Sequence, residues 1–139
     1  MAISQGLTTL FKKNLLEADI NFSTATIKMA LVKSTANIGA ETTSYSELGS
    51  EEVSGTNYIS GGNVLSATVA TSGTTAYVDF ADSSWSDATF SAAGALIYNG
   101  ASPYDAIAVL DFGGDKTITA GTFIVKFPAA GDSAIIRIE

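Results

Sequence analysis

The stretch NVLSATVATSGTTAYVDFA, residues 63–81, decides the fold class of this chain. Two runs, NVLSATVAT (63–71) and TAYVDFA (75–81), flank the tripeptide SGT (72–74). On the second run, apolar residues alternate with Tyr77 and Asp79. Because a period of two is typical of strands and a short glycine-containing segment is typical of turns, this stretch predicts a β-hairpin.

Further strand-like segments lie on both sides of this hairpin. TIKMALVK (26–33) precedes it, and five segments follow: SSWSDATF (83–90), AAGALIYN (92–99), DAIAVLDF (105–112), TAGTFIVKF (119–127) and SAIIRIE (133–139). The second and third of these read as buried strands joined through GASPY (100–104). Many short strands separated by Gly, Asp and Ser predict a mainly β protein, an antiparallel β-sandwich or barrel.

Only the N-terminal region departs from this pattern. An apolar stripe at helical spacing predicts one amphipathic α-helix over about residues 3–18. The members of the stripe are Ile3, Leu7, Leu10, Phe11 and Leu15. A polar segment without periodicity predicts a long loop over about residues 34–55, with a short helix around Tyr45 to Leu48. With 139 residues and no internal linker, the chain is predicted to form a single domain over residues 1–139.

The composition argues against several classes of function. The sequence contains no cysteine and no histidine, so it lacks the thiolate and imidazole groups most used in metal sites and in general base catalysis. Its net charge of −7 repels nucleic acid and anionic lipid. No stretch reaches the roughly 18 apolar residues of a membrane span, and the N-terminal segment lacks the charge order of a secretory signal. We predict no enzyme activity, no catalytic residues, no cofactor, no metal, no nucleic acid partner and no membrane.

The segment GTNYISGGNVL, residues 55–65, raises the question of a phosphate-binding loop. Such a loop needs a lysine and a Ser or Thr directly after its last glycine, followed by a helix. Here Gly62 is followed by NVLSATVAT, which reads as a strand. We therefore interpret Gly61 and Gly62 as residues whose backbone conformation excludes a side chain, with Tyr58 packed beside the turn.

Two other groups of residues have both a functional and a structural interpretation. Asp79, Asp82 and Asp87 could hold Ca²⁺, but their spacing is not that of an EF-hand, and Asp between strands more often builds turns. The five tyrosines and Trp85 could form a sugar-binding face, but large aromatic residues more often fill a small core. We expect Trp85 in the core, with its indole N–H bonded to a carbonyl or a turn side chain.

Three segments occur in an informative order: EVSGTNYISGGNVL (52–65), VDFADSSWSDATFSAAGALIYNG (78–100) and AIAVLDFGGDKTITAGTFIVKFP (106–128). With the N-terminal helix, this order resembles a family of small structural proteins of tailed-bacteriophage virions, over nearly the whole chain. Pro128 departs from the family pattern, which has an aromatic residue or an Asn-Gly pair there, so the shape of the last hairpin is left open. The residues that match are Gly55, Tyr58, Gly61, Gly62, Leu65, Asp82, Trp85, Ala93, Tyr98, Asp111, Phe112, Gly113 and Gly121.

The resemblance implies a capsid cement (decoration) protein that stabilises the head shell. Such a protein is made in the host cytoplasm and sits on the outer surface of the capsid, between subunits of the major capsid protein. The resemblance also implies many copies, often homotrimers, and carries over no catalytic residues. The polar loop over residues 34–55 is the segment we expect to become ordered on contact with the capsid.

Two alternatives stay open at this level. The chain could be a tail, head-fibre or adaptor protein of the virion, or a carbohydrate-binding β-module. The surface composition does not decide between them. Charged residues make up only 15% of the chain, which suits a protein packed against neighbours but is also ordinary for a small β-protein.

Overall fold

Two antiparallel β-sheets and one α-helix form the described part of the chain, residues 2–131 and 133–139 of a computed structural model. The larger sheet has the strand order β1-β7-β6-β2-β3 and the smaller sheet the order β4-β5-β8. The strands are β1 Gly6–Leu7, β2 Ile27–Val32, β3 Asn63–Leu65, β4 Ala67–Ser72, β5 Thr75–Phe80, β6 Ser83–Asn99, β7 Ala106–Val125 and β8 Ile136–Ile138. This confirms a mainly β antiparallel fold with an N-terminal helix, and over the described residues the sheets do not close into a barrel.

The helix α1, Thr9–Leu16, is shorter than the predicted span of residues 3–18. Thr8 caps it: the Thr8 hydroxyl oxygen accepts from the Phe11 N–H at 3.1 Å, and the hydroxyl donates to the Ala106 carbonyl at 2.9 Å. The residues before the cap are extended, because Gly6 and Leu7 pair with β7. The predicted boundaries were therefore wrong, since part of the apolar stripe belongs to a strand.

The hairpin that decided the fold class is confirmed, with a tighter turn than predicted. Ser72 pairs with Thr75, so the loop has two residues, Gly73 and Thr74, instead of the three predicted. Gly73 has φ +59°, which fits a type II′ turn with glycine at its first central position. The run over residues 63–71 is divided at Ser66, so that β3 and β4 belong to different sheets.

The two long strands β6 and β7 each join two segments that the sequence predicted as separate strands. They form one hairpin whose register runs from Tyr98 opposite Ala106 to Ser83 opposite Val125. Register shifts along the pair mark β-bulges, and one shift lies next to Gly94. A Cβ added at Gly94 would lie 2.5 Å from the Leu110 carbonyl oxygen, so the close approach of the two strands requires glycine there.

The larger sheet is covered on both faces. One face packs against the smaller sheet and α1, and its core contains the aromatic residues Trp85, Phe90 and Phe123. The other face, with Leu96 and Val109, packs against the segment over residues 34–55. This second packing layer determines the structure of the long polar loop.

The loop over residues 34–55 contains two 3₁₀ helices, Tyr45–Glu47 and Gly49–Glu51. The first lies where a short helix was predicted, around Tyr45 to Leu48. Ser44 and Glu47 form a capping box at its start. Four apolar side chains of the loop are buried: Ala36, Ile38 and Leu48 pack with Leu96 and Val109, and Val53 lies in the core on the other face. The isolated chain therefore already packs this segment, contrary to the expectation of a loop that orders on contact.

Candidate functional site

The most organised polar group of the described chain centres on the carboxylate of Glu52. Glu52 follows the second 3₁₀ helix, and its backbone forms an isolated bridge with Val32 at the end of β2. One carboxylate oxygen accepts from the Tyr45 hydroxyl at 2.6 Å. The other accepts from the Tyr58 hydroxyl at 2.6 Å and from the Gly61 N–H at 2.7 Å. We call Glu52, Tyr45, Tyr58, Gly61 and Tyr98 the Glu52 cluster.

Further hydrogen bonds connect the Glu52 cluster to the larger sheet. The Tyr58 hydroxyl oxygen accepts from the Leu31 N–H at 2.9 Å, and the Tyr98 hydroxyl donates to the Gly61 carbonyl at 2.6 Å. The rings of Tyr45 and Tyr98 stack with centroids 4.6 Å apart and an interplanar angle of 15°. The cluster therefore fixes three chain segments to one another: the polar loop, the glycine-rich segment and the sheet.

The glycine-rich segment over residues 55–65 has the structural role predicted for it. Gly61 and Gly62 have φ of +98° and +79°, and the chain passes directly into β3. A Cβ at Gly62 would lie 1.8 Å from the Met29 carbonyl oxygen, and a Cβ at Gly55 would lie 2.4 Å from the Thr89 carbonyl oxygen. Since backbone cannot move away as a flexible side chain can, both positions exclude any larger residue.

Burial sets the protonation of the tyrosines in the Glu52 cluster. Burial, together with the hydrogen bond to the Glu52 carboxylate, raises the pKa of Tyr58 and of Tyr45 well above the usual value. Burial also raises the pKa of Tyr98 to about 12. All three hydroxyls are therefore protonated donors at neutral pH and not bases: Tyr45 and Tyr58 donate to the Glu52 carboxylate, and Tyr98 donates to the Gly61 carbonyl.

The three aspartates considered for Ca²⁺ have separate structural roles. The Asp82 carboxylate accepts from the Phe127 N–H at 3.0 Å, whereas Asp79 lies within β5 opposite Thr68. Asp87 has φ +52°, and its carbonyl accepts from the Asn57 side chain at 2.9 Å. Across residues 2–131 and 133–139, no group of three or more acidic side chains is arranged to hold a metal ion.

Most of the aromatic residues considered for sugar binding belong to the core or to the Glu52 cluster. Trp85 is 4% exposed and packs against Tyr58, Phe90 and Phe123 with centroids 6.1–6.2 Å apart. The predicted core position of Trp85 is confirmed, but its indole N–H has no hydrogen-bond partner among the described residues, so the predicted bond was wrong. Tyr104 is the exposed member, with 42% of its surface accessible.

Large apolar side chains are exposed at several separate places on the surface. They are Leu16, Ile59, Val64, Val69, Ile124 and Ile138. Val69 and Ile138 line an open groove of about 380 Å³ between the end of α1 and the smaller sheet, which we call the β4 groove. Its other apolar walls include Leu15, Phe22 and Val78. The contiguous apolar lining of the β4 groove, unlike a single exposed side chain, is of the kind that marks a contact site.

Neither Glu52 nor Tyr45 was identified from the sequence as a partner of the glycine-rich segment. An acidic residue three positions before Gly55 gave no signal, because 14 acidic residues are spread along the chain. No α-helix in the described part of the chain is long and apolar enough to cross a membrane. Comparisons of the chain with protein-family models, with curated proteins and with solved structures give no match.

Proposed function

We propose that this chain is a structural protein of a tailed-bacteriophage virion, a capsid cement protein that binds the outer surface of the head between major capsid protein subunits. The observation that carries the proposal is the distribution of exposed apolar side chains. Leu16 on α1, Ile59 in the glycine-rich segment and Ile124 on β7 are 89%, 79% and 50% exposed. A protein that bridges several neighbouring subunits needs apolar contact surface on more than one element.

The positions that match the virion family also support the proposal. Gly55 and Gly62 lie where a side chain would meet backbone, and Tyr58 and Tyr98 bond the glycine-rich segment to the sheet. Asp111 accepts from the Gly113 N–H at 2.9 Å, next to a bulge in β7. These matching residues fix the local backbone, as is expected for a family related by architecture and not by a catalytic site.

The proposed mechanism is stabilisation by mass action. A protein that binds the assembled shell, and not its separate subunits, lowers the free energy of the assembled state with each bound copy. The shell then resists the internal pressure of the packaged DNA. The net charge of −7 keeps the protein from binding the DNA itself.

The test uses particles depleted of this protein. We expect them to assemble but to release DNA at a lower temperature and under osmotic shock, and we expect added purified protein to restore resistance. Three variants probe the apolar contacts: Leu16→Glu, Ile59→Glu and Ile124→Glu. Ser60→Glu is the control, because it adds the same charge beside Ile59 at an exposed polar residue.

The outcomes separate the proposal from its alternatives. Restoration by Ser60→Glu and failure of at least one of the three apolar variants would support a cement protein. Depleted particles that keep full heat resistance but cannot adsorb to cells would point to a tail or fibre protein. Saturable binding of a sugar by the isolated chain would point to a carbohydrate-binding module.

A further inference from the structure

The outer edge of β4 is open. Among the described residues, β4 pairs with β5 alone, so the other edge of this six-residue strand presents unpaired backbone groups. Its sequence, ATVATS, has no charged residue and no proline. Natural sheet edges usually carry charges, proline, bulges or very short strands, because an unprotected edge pairs with another strand.

The other sheet edges of the described chain have such protection. The strands β3 and β8 are three residues long, and Arg137 of β8 forms an ion pair at 2.7 Å with Glu139, which follows the strand. The open stretch of β7 is interrupted at Gly113 and Gly114, with φ of +81° and +135°, and at Ala120, with φ +47°. The strand β1 has two residues, and the stretch of β6 that β2 does not cover contains Asp87 and register shifts and is bridged at Thr89 by Thr56. Among the described residues, only β4 combines a regular six-residue edge with an uncharged sequence.

The hairpin turn determines which residues of β4 direct their backbone N–H and C=O groups toward the open edge of the sheet. In a two-residue loop the flanking residues, here Ser72 and Thr75, are hydrogen-bonded to each other. Because bonding alternates along an antiparallel ladder, Ala70 and Thr68 also direct their backbone groups toward β5. Ala67, Val69 and Thr71 therefore direct theirs toward the open edge.

We propose that this edge pairs, antiparallel, with β4 of a second copy of the chain about a twofold axis at Val69. In this register Val69 meets Val69 of the partner, and Ala67 meets Thr71 of the partner on each side. These three pairs form about six backbone hydrogen bonds. The two smaller sheets become one six-stranded sheet with the order β8-β5-β4-β4-β5-β8.

The same register covers apolar surface. Val69 lies opposite Val78, and Val78 lies opposite Ile136, so the three side chains share the face that lines the β4 groove. Val69 is 52% exposed in the single chain. Pairing places the two Val69 side chains next to each other on this face and joins the two grooves.

The edge fits a second copy of itself because no charges meet in this register and each outward residue has a partner. The assembly differs from the trimer that the virion resemblance implies, and it does not depend on binding to a capsid. The net charge of −7 on each copy opposes association, so salt should strengthen the pair by screening this repulsion.

Sedimentation velocity and light scattering on the purified full chain test the proposal. We expect a concentration-dependent species with about twice the monomer mass of 14.3 kDa, more populated at 0.5 M than at 0.05 M salt. Val69→Lys should abolish it by placing two ammonium groups together. Thr71→Pro should abolish it by removing an outward N–H while leaving the bonds between β4 and β5. Thr122→Lys, at an exposed position on β7, is the charge-matched control and should leave the dimer unchanged.

Each outcome decides the question. Loss of the dimer in both edge variants, with a retained circular dichroism spectrum and with the control still dimeric, supports the contact. If Val69→Lys unfolds, Thr71→Pro alone carries the test. A wild-type chain that stays monomeric up to millimolar concentration, a trimer, or a dimer insensitive to the folded edge variants would overturn it. Because no capsid is used, this result is independent of the test of the cement proposal.

Discussion

Replacing Glu52 by glutamine should destabilise the fold, although no side-chain volume is lost. The Glu52 carboxylate accepts three hydrogen bonds of 2.6–2.7 Å, and a bond to a charged group contributes about 1.5–3 kcal/mol. An amide turns one acceptor oxygen into a donor and removes the charge that strengthens the other bonds. Because Glu52 is half-buried and water can replace part of this loss, we expect Glu52→Gln to lower the free energy of unfolding by about 2 kcal/mol.

Urea melts monitored by circular dichroism measure this change. Glu41→Gln is the control: it removes the same charge from an exposed side chain that has no hydrogen-bond partner among the described residues. Its effect should stay within about 0.5 kcal/mol. A double-mutant cycle with Tyr58→Phe isolates the bond between Tyr58 and Glu52, and we expect a coupling energy of about 1 kcal/mol or more.

The reasoning would be refuted if Glu52→Gln were as mild as Glu41→Gln. That result would mean that the three donors find equivalent partners in water, and the Glu52 cluster would then not be what holds the glycine-rich segment on the sheet. A large loss in Glu52→Gln without coupling to Tyr58→Phe would instead assign the effect to Tyr45 and Gly61.

Three further predictions follow from burial and backbone geometry. Gly62→Ala should prevent folding or lower the free energy of unfolding by more than about 4 kcal/mol in urea melts, because its Cβ would lie 1.8 Å from the Met29 carbonyl oxygen. Gly49→Ala is the control: with open space around it, it should lower the free energy of unfolding by only about 1 kcal/mol. Phe11→Ala should cost about 3–5 kcal/mol, since Phe11 is 1% exposed; a thermal melt unchanged from wild type would contradict this. Tyr98 keeps its proton in the folded state up to a pKa of about 12, but the unfolded chain releases it near pH 10. The ionisation of Tyr98 should therefore leave the free energy of unfolding unchanged below pH 10 and lower it above pH 10, by up to about 1.4 kcal/mol per pH unit. In Tyr98→Phe, which lacks this hydroxyl, the loss of stability at alkaline pH should be smaller.

The fold class was predictable because strand periodicity is a local signal. The alternation around Tyr77 and Asp79 and the glycine at position 73 give the β4–β5 hairpin without knowledge of the rest of the chain. The boundaries of α1 were not predictable in this way. Leu7 fits the helical stripe by spacing, but its pairing with Ala108 on β7 makes it extended, and no local pattern shows a partner so distant in sequence.

The Glu52 cluster shows the same limit for the candidate site. The sequence identified Gly61, Gly62 and Tyr58 as residues with special geometry, because glycine pairs and a nearby aromatic residue carry a local meaning. It did not identify Glu52 as their common partner, since a half-buried carboxylate is recognised only when its donors, from its own loop and from the glycine-rich segment, are in place. The strand predicted over residues 63–71 divides at Ser66 because β3 pairs in the larger sheet and β4 pairs in the smaller one. The local sequence shows neither pairing partner.

The anchoring of the N-terminal helix to β7 has a consequence for the order of events during synthesis. The Thr8 hydroxyl bonds a carbonyl 98 residues later, so at about 5–20 residues per second the ribosome needs roughly 5–20 s to supply the partner of the helix cap. An eight-residue helix is too short to persist alone in water. The β6–β7 hairpin, whose strands are neighbours in sequence, can form first, and α1 and β1 can attach only afterwards. A nascent chain that has not yet reached residue 109 therefore exposes the apolar residues of α1 and β1 to proteases and chaperones, because the strand that binds them has not been made.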